Sequence, residues 1–304
     1  MEQMIQPLPF DPSTLNGLSE RLLRSHFDNN YGGAVRRLNA IQSALGKASF
    51  DALSGFELNG LKREELIATN SMLLHELHFA CLGGDGAAMA PAMALALGAS
   101  FGSVERWREE FVAMGQALGG GSGWVLLVFQ PRDGSLVNQW AGDHTQALSG
   151  GTPILALDMY EHAYHMDFGA RAGAWVDAFM RNLDWEAVYQ RYQLAVHAAS
   201  EAFGVEQAEV AAAQLIDVRR AGVFEQASQM LPRSQWRDPA DVAQWGRTLD
   251  PAREVVVYCV YGHEVGRSTA MRLRAQGVNA RFLRGGFDEW QKAGLPTVGK
   301  GEGQ

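Results

Sequence analysis

The stretch Thr152-Pro153-Ile154-Leu155-Ala156-Leu157-Asp158-Met159-Tyr160-Glu161-His162-Ala163-Tyr164 decides how this chain is read. Its apolar half, Thr152 to Leu157, has the length and character of a buried strand. Asp158 then stands where the chain leaves the sheet, and His162 follows four residues later. A carboxylate and an imidazole in such a place are either buried as a pair or bind a metal, because a buried charge without a partner is costly.

Two upstream histidines bear on that choice. His26 lies in a stretch where Leu18, Leu22, Leu23, Val35, Leu38, Ile41 and Leu45 recur at near-helical spacing, interrupted by Gly32-Gly33. His75 belongs to the stripe Leu61, Ala68, Met72, His75, Phe79 and Leu82, which follows one helix face. Both imidazoles therefore point where core residues point. A lone histidine on such a stripe is ordinarily a core residue satisfied by backbone or water. Two of them, together with Asp158 and His162, make a metal site the more economical account. Three imidazoles and one carboxylate without a thiolate suit Fe, Mn or Zn, with a fifth position open to water or a small anion.

The run Asp158 to Tyr164 resembles the signature of the iron/manganese superoxide dismutases, usually Asp-Val-Trp-Glu-His-Ala-Tyr. The resemblance covers about the first two thirds of the chain. It takes in Pro7-Leu8-Pro9-Phe10, His26, His75, Gly121-Ser122-Gly123-Trp124 and Asn182-Leu183-Asp184-Trp185-Glu186. It implies His26, His75, Asp158 and His162 as ligands of one Fe or Mn ion per chain, and superoxide as substrate. It also implies a homodimer in which Glu161 reaches the partner's His162, fixing that ring as an outer carboxylate does.

The surroundings of the ligands depart from that family. Its usual histidine and tyrosine, four and eight residues after the first ligand, are Asn30 and Ala34; its usual tyrosine three residues after the last ligand is His165, and its signature tryptophan is Tyr160. Lost phenol and imidazole donors should alter proton delivery to a forming peroxide. Tyr31 is a candidate replacement for the missing tyrosine, and His165 a candidate partner for Asn30 across a dimer. His144 is the candidate to hydrogen-bond solvent at the metal, because Asp143-His144 precedes Asp158 by nearly the spacing of the family's His-bearing members; Ser71 stands where iron-specific members supply glutamine, so the resemblance leaves Fe and Mn both open. Trp124 belongs to the same outer set. His78, His197 and His263 are read as non-ligands.

Composition agrees and extends the reading. The chain has 304 residues, 47% apolar and 20% charged, enough for two domains with real cores. A formal charge of -8 argues against general nucleic-acid binding. Cys81 and Cys259 fall in different expected domains and make no disulfide framework. The start of the chain lacks a basic, apolar leader and no apolar run is long enough to span a bilayer, so a soluble cytoplasmic protein without membrane contact is expected. Long helices are expected near 18–45 and 60–82 as an antiparallel hairpin. A β-hairpin follows, Trp124 to Phe129 and Ser135 to Trp140, turning at Asp133-Gly134.

Beyond a small-residue, polar bridge at about 198–210 the pattern becomes strands alternating with helices: Leu215 to Arg219, Glu254 to Cys259, a helix from about Arg267 to Gln276, then Ala280 to Leu283. That predicts an α/β unit with a parallel sheet. Cys259 ends a buried strand before a Gly262 loop and a helix N-terminus, where backbone N–H groups stabilise a thiolate or persulfide. A cysteine at a strand end is ordinarily inert packing. Asp217-Val218-Arg219, Cys259-x-x-Gly262 and Gly285-Gly286-Phe287-x-x-Trp290, however, resemble the rhodanese (sulfurtransferase) domain, with Cys259 at its nucleophile position and a sulfur donor or acceptor as partner. Active thiosulfate-type members usually carry arginine five residues later. This chain has Glu264 there, which should repel thiosulfate and raise the thiol unless His263 or Arg267 counters it.

The expected architecture is a helical hairpin (1–85) plus an α/β part with a three-stranded sheet (86–198), a linker (199–210), and a separate rhodanese-like α/β domain with a parallel sheet (211–304). The expected activity is dismutation of superoxide to dioxygen and hydrogen peroxide. The alternatives are a sulfurtransferase or persulfide-handling protein with an auxiliary metal domain, and a non-catalytic metal-binding protein.

Overall fold

A computed structural model of the chain describes residues 2–210 and 212–300. After an extended lead, α1 (Glu20–Ser25) starts at Ser19, whose hydroxyl accepts the Leu22 N–H. A π-helical segment, His26–Tyr31, joins it without a break to α2 (Gly32–Lys47). Gly32-Gly33 therefore do not interrupt the helix as their composition suggests; the irregularity lies just before them, and it carries His26. A widened turn holds one more residue than an α-turn and re-aims the side chains that follow.

Ser54 and Glu57 form a capping box that starts α3 (Gly55–Ala80) five residues earlier than the apolar stripe alone predicts. The helices α2 and α3 pack as an antiparallel hairpin around Tyr31, Val35, Leu38, Ile41, Ala68, Met72 and Phe79. Next come α4 (Pro91–Phe101) and α5 (Val104–Ala117). Then β1 (Trp124–Gln130), β2 (Ser135–Ala141) and β3 (Thr152–Asp158) form an antiparallel sheet in the order β2-β1-β3. Trp124 is the cross-strand partner of both Ala141 and Asp158, so the last residue of β3 sits beside the first of β1. The chain continues through α6 (His165–Phe168) and α7 (Ala172–Arg181) into α8 (Trp185–Ser200). The main core fills the space between β1, β3, α5, α7 and α8, with Trp107, Phe111, Trp175, Phe179 and Tyr192 fully buried.

The second domain begins before the expected linker ends. Ser200 still belongs to α8, and β4 (Gly204–Val205) pairs in parallel with β9 (Ala280–Leu283), making 199–210 partly helix and partly edge strand. Its small, polar residues look like a spacer; what orders them is the pairing of a distant strand. The sheet runs β4-β9-β8-β5-β7, built from β5 (Gln214–Asp217), β7 (Gln235–Trp236) and β8 (Val255–Tyr258). Around it lie α9 (Ala221–Gln226), α10 (Val242–Trp245), α11 (Glu264–Ala275) and α12 (Gly286–Lys292), while β6 (Gln229–Met230) and β10 (Val298–Gly299) pair separately.

The two domains share a boundary. The helix α11 packs on α8, and Ala92 and Leu95 of α4 join the apolar cluster of the second sheet. Arg272 reaches into the first domain, donating to the carbonyls of Ala99 (2.8 Å) and Gly134 (3.4 Å) and to Ser100 Oγ (2.8 Å). No helix among the described residues is long and apolar enough to cross a membrane.

Candidate metal centre

Four elements bring four donors together. His26 comes from the π-helical turn, His75 from the middle of α3, Asp158 from the end of β3, and His162 from the 3-10 turn Glu161–Ala163. One oxygen of Asp158, Oδ2, lies 3.1 Å from His26 Nε2, 3.2 Å from His162 Nε2 and 3.5 Å from His75 Nε2. All four donor atoms lie within 4.8 Å of one another. Separations of 3.1–3.5 Å are those between neighbouring ligands on one ion bound at about 2.0–2.2 Å.

The protonation states fit a metal. His75 Nδ1 is 2.6 Å from the Ser71 carbonyl, which only accepts, so Nδ1 carries the proton and Nε2 presents a lone pair. Burial holds His26 below the ordinary imidazole range and His75 well below it, keeping both neutral at pH 7. Burial alone would raise the Asp158 carboxyl, but the charge and hydrogen bond of His162, with those of His26, hold it well below the usual carboxylate range. Its other oxygen accepts the Tyr160 N–H at 2.8 Å, and its carbonyl takes the Trp175 indole N–H at 2.8 Å. The donor set therefore fits Fe or Mn.

Beside these donors is a stack of rings. His144 lies 4.8 Å from Tyr160 in near-parallel planes, and Tyr160 lies 5.4 Å from His162 in the same manner. The Trp124 indole N–H donates to His144 Nδ1 at 3.0 Å. An indole only donates, so His144 Nδ1 is bare and its proton sits on Nε2.

The cysteine pocket lies at the domain boundary. Cys259 is 6% exposed, and its sulfur is faced by the backbone N–H groups of Gly266, Tyr261 and Gly262. Burial raises the thiol, those N–H groups lower it and Glu264 raises it again, for a net upward shift. Gly286, at φ +58, lets its backbone approach this loop: a Cβ there would lie 2.5 Å from the Cys259 carbonyl. Glu264 is buried, and among the described residues no ion pair joins it to His263 or Arg267. Its carboxylate accepts from two residues of α8, Tyr189 Oη at 2.6 Å and Gln193 Nε2 at 3.1 Å. Arg267 instead pairs with Glu201 at 2.8 Å.

Comparison with known proteins agrees with this geometry. The model of the iron/manganese superoxide dismutase C-terminal domain matches residues 89–191, and that of the rhodanese-like domain matches 205–293. A superoxide dismutase [Fe] of Cupriavidus metallidurans is 60% identical over 192 residues, 63% of this chain and 97% of the relative. The chain belongs to the iron/manganese superoxide dismutase family. Further relatives are superoxide dismutase [Mn] 1 of Halobacterium salinarum, 34% identical over 64% of this chain and 96% of the relative, and superoxide dismutase [Fe] of Aquifex pyrophilus, 31% identical over 62% and 90%. A rhodanese-like domain is appended to the dismutase domain.

Within the dismutase domain the other sequence candidates fall in two groups. Trp124 and His144 join the ligand surroundings; Tyr31 does not. Its hydroxyl accepts the Gln6 N–H at 2.7 Å and donates to Glu76 at 2.8 Å, while its ring packs among Phe27 and Phe79. Ala34 is buried in the hairpin core, and Glu161 and His165 are exposed. His78 is fully buried, donating through Nδ1 to the Ala156 carbonyl at 3.1 Å, with Nε2 unpartnered. Sequence reasoning did not find Tyr160 as the middle of the ring stack, nor Tyr189 and Gln193 as partners of Glu264. Only the rarity of a carboxylate beside the nucleophile position signalled the latter.

Proposed function

We propose that this protein disproportionates superoxide with iron or manganese held by His26, His75, Asp158 and His162. The convergence of three imidazole nitrogens on one buried carboxylate oxygen, in a chain of this family, carries the reading. Bound iron or manganese supplies a one-electron couple: one superoxide is oxidised to dioxygen, and a second takes that electron and two protons to become hydrogen peroxide.

The chain's own residues set the conditions for those steps. Asp158 stays ionised, so its negative charge offsets that of the cation. The Ser71 carbonyl fixes the tautomer and ring angle of His75, as outer partners of ligating histidines do. His144, locked by Trp124 with its proton on Nε2, offers a hydrogen bond to an anion or to solvent beside the ligands. Burial, then the charges of Asp158 and Asp143, pushes the Tyr160 phenol up to about 12, so it keeps its proton at neutral pH. These two groups take the place of the donors absent at Asn30 and Ala34.

The exposed Glu161 and His165 face away from the core, and a second copy on that face would complete the homodimer, with Glu161 against the partner's His162. Two free thiols, Cys81 and Cys259, suit the reducing cytoplasm.

Dismutation per bound metal, on protein reconstituted separately with iron and with manganese, tests the reading. Turnover is expected with at least one metal and is expected to vanish with the metal in His162→Ala. In His144→Ala the metal stays and turnover falls about 10–100-fold. Stoichiometric metal without turnover in the wild type would overturn the proposal.

A further inference from the structure

The loop that carries His144 has no helix or strand of its own. It runs through residues 142–151, between β2 and β3. Its internal hydrogen bonds travel with it: Asp143 Oδ1 accepts from the Thr145 N–H at 2.7 Å, and Gln146 Oε1 accepts from the Gly142 N–H at 2.6 Å. Gln139 of β2 takes the Leu148 N–H at 2.8 Å, which ties the loop to its own strand. None of these hydrogen bonds fixes how close His144 sits to the ligands.

Asn70 makes the contact that does. It lies well inside α3, half-buried, and its side-chain amide donates to the His144 carbonyl at 2.5 Å, across 74 positions of sequence. A carbonyl only accepts, so the amide nitrogen of Asn70 faces the loop. Asparagine is a poor helix former because its side chain competes for nearby backbone groups; here that side chain leaves the helix for a distant loop. The Trp124 indole and the Tyr160 ring hold the imidazole of His144, while Asn70 holds its backbone. With the carbonyl anchored, the side-chain torsions are what remain free, and the indole hydrogen bond and the stack settle those. The next residue along α3, Ser71, fixes the ligand His75 through its own carbonyl. Two adjacent residues of one helix thus set a ligand and the outer imidazole in a common frame.

We propose that Asn70 is a positioning residue for dismutation, holding His144 where its Nε2–H reaches an anion or solvent beside the ligands. This role presupposes dismutation at the four ligands. Misplacing such a donor by about 1 Å costs up to about a hundredfold in rate, so one anchoring hydrogen bond on the loop matters.

Two substitutions test it on the full chain. Asn70→Leu removes the donor and keeps a good helix former; Asn70→Asp keeps the shape and puts an acceptor where the donor was. In the metal-free protein the Trp124 indole N–H, assigned with Trp124→Phe, is read by proton NMR. Both variants should move it upfield toward its position in His144→Ala, as happens when a donor loses its acceptor. In the metal-loaded protein both should lower turnover about tenfold at unchanged metal content. Made in His144→Ala, the same substitutions should change turnover by less than about twofold, because the group they position is gone. Losses that add in the double variants would mean that Asn70 acts elsewhere, and an indole resonance unmoved in both variants would mean that His144 keeps its place without it; either result overturns the proposal. A wild type without turnover on either metal would strike the dismutase reading and the catalytic purpose with it, while the indole resonance alone decides whether Asn70 places His144. Unchanged circular dichroism of both variants shows that folded proteins are compared.

Discussion

His78 shows how a single buried residue ties stability to pH. Burial first, then the neighbouring His26, depresses its pKa from 6.5 to about 3, and burial depresses His26 and His75 in the same direction. In the unfolded chain these histidines take up protons as pH falls below 6.5; in the folded metal-free chain they stay neutral. The unfolded state therefore binds more protons, so their effect is absent above about pH 7 and stability is lost progressively as pH falls below 6.5. Each such group adds a slope of about 1.4 kcal/mol per pH unit. Urea unfolding of the metal-free protein between pH 7 and pH 5 should show His78→Phe with a shallower decline by about one proton. Equal slopes would mean that His78 is protonated in the folded state. At pH 7 the substitution trades the Ala156 hydrogen bond for removal of an unpartnered nitrogen, so little net change is expected there.

At the scale of elements, the π-helical turn is the piece on which the first ligand depends. His26 must face Asp158, while Ala34, Val35 and Leu38 of α2 must face α3. Deleting exposed Asn29 would let the turn close to ordinary α-helix and rotate one set by about 100° against the other. Since α2 is pinned by the hairpin core, the rotation falls on His26. Metal content measured after reconstitution should drop to near zero with helical circular dichroism retained; full occupancy in the deletion would show that the widened turn is dispensable. This turn also marks the limit of sequence reading. The apolar stripes gave the hairpin, the strand ending at Asp158 and both donor histidines, because periodicity reports which face is buried. An extra residue in a helix leaves no periodic trace over six residues, and so Gly32-Gly33 looked like the break. Likewise Tyr31 was adjacent in sequence to the missing tyrosine, yet helical rotation carries its hydroxyl to Gln6 and Glu76. The edge strand Gly204–Val205 was illegible for another reason: its order comes from pairing with residues almost eighty positions away.

For the whole molecule, the question is whether the two domains behave as one. Their boundary combines apolar packing of Ala92, Leu95 and Tyr189 with partly buried hydrogen bonds at both ends of α11, Glu264 at its start and Arg272 near its end. Arg272 is the more exacting of the two. Desolvation by burial lowers its pKa, yet its guanidinium hydrogen bonds among the described residues go to the dismutase domain. Truncating it to alanine would leave the Ala99 carbonyl, Ser100 and the Gly134 carbonyl without that donor, a loss of roughly 1–3 kcal/mol at the boundary. Neither domain's own core is touched by the change. Scanning calorimetry of the metal-loaded protein should therefore show one cooperative transition in the wild type and two in Arg272→Ala, with the rhodanese-like domain melting first because it loses its cover over Cys259. A single transition retained in the variant would mean that apolar packing alone couples the domains. Two transitions in the wild type would mean that they were never coupled.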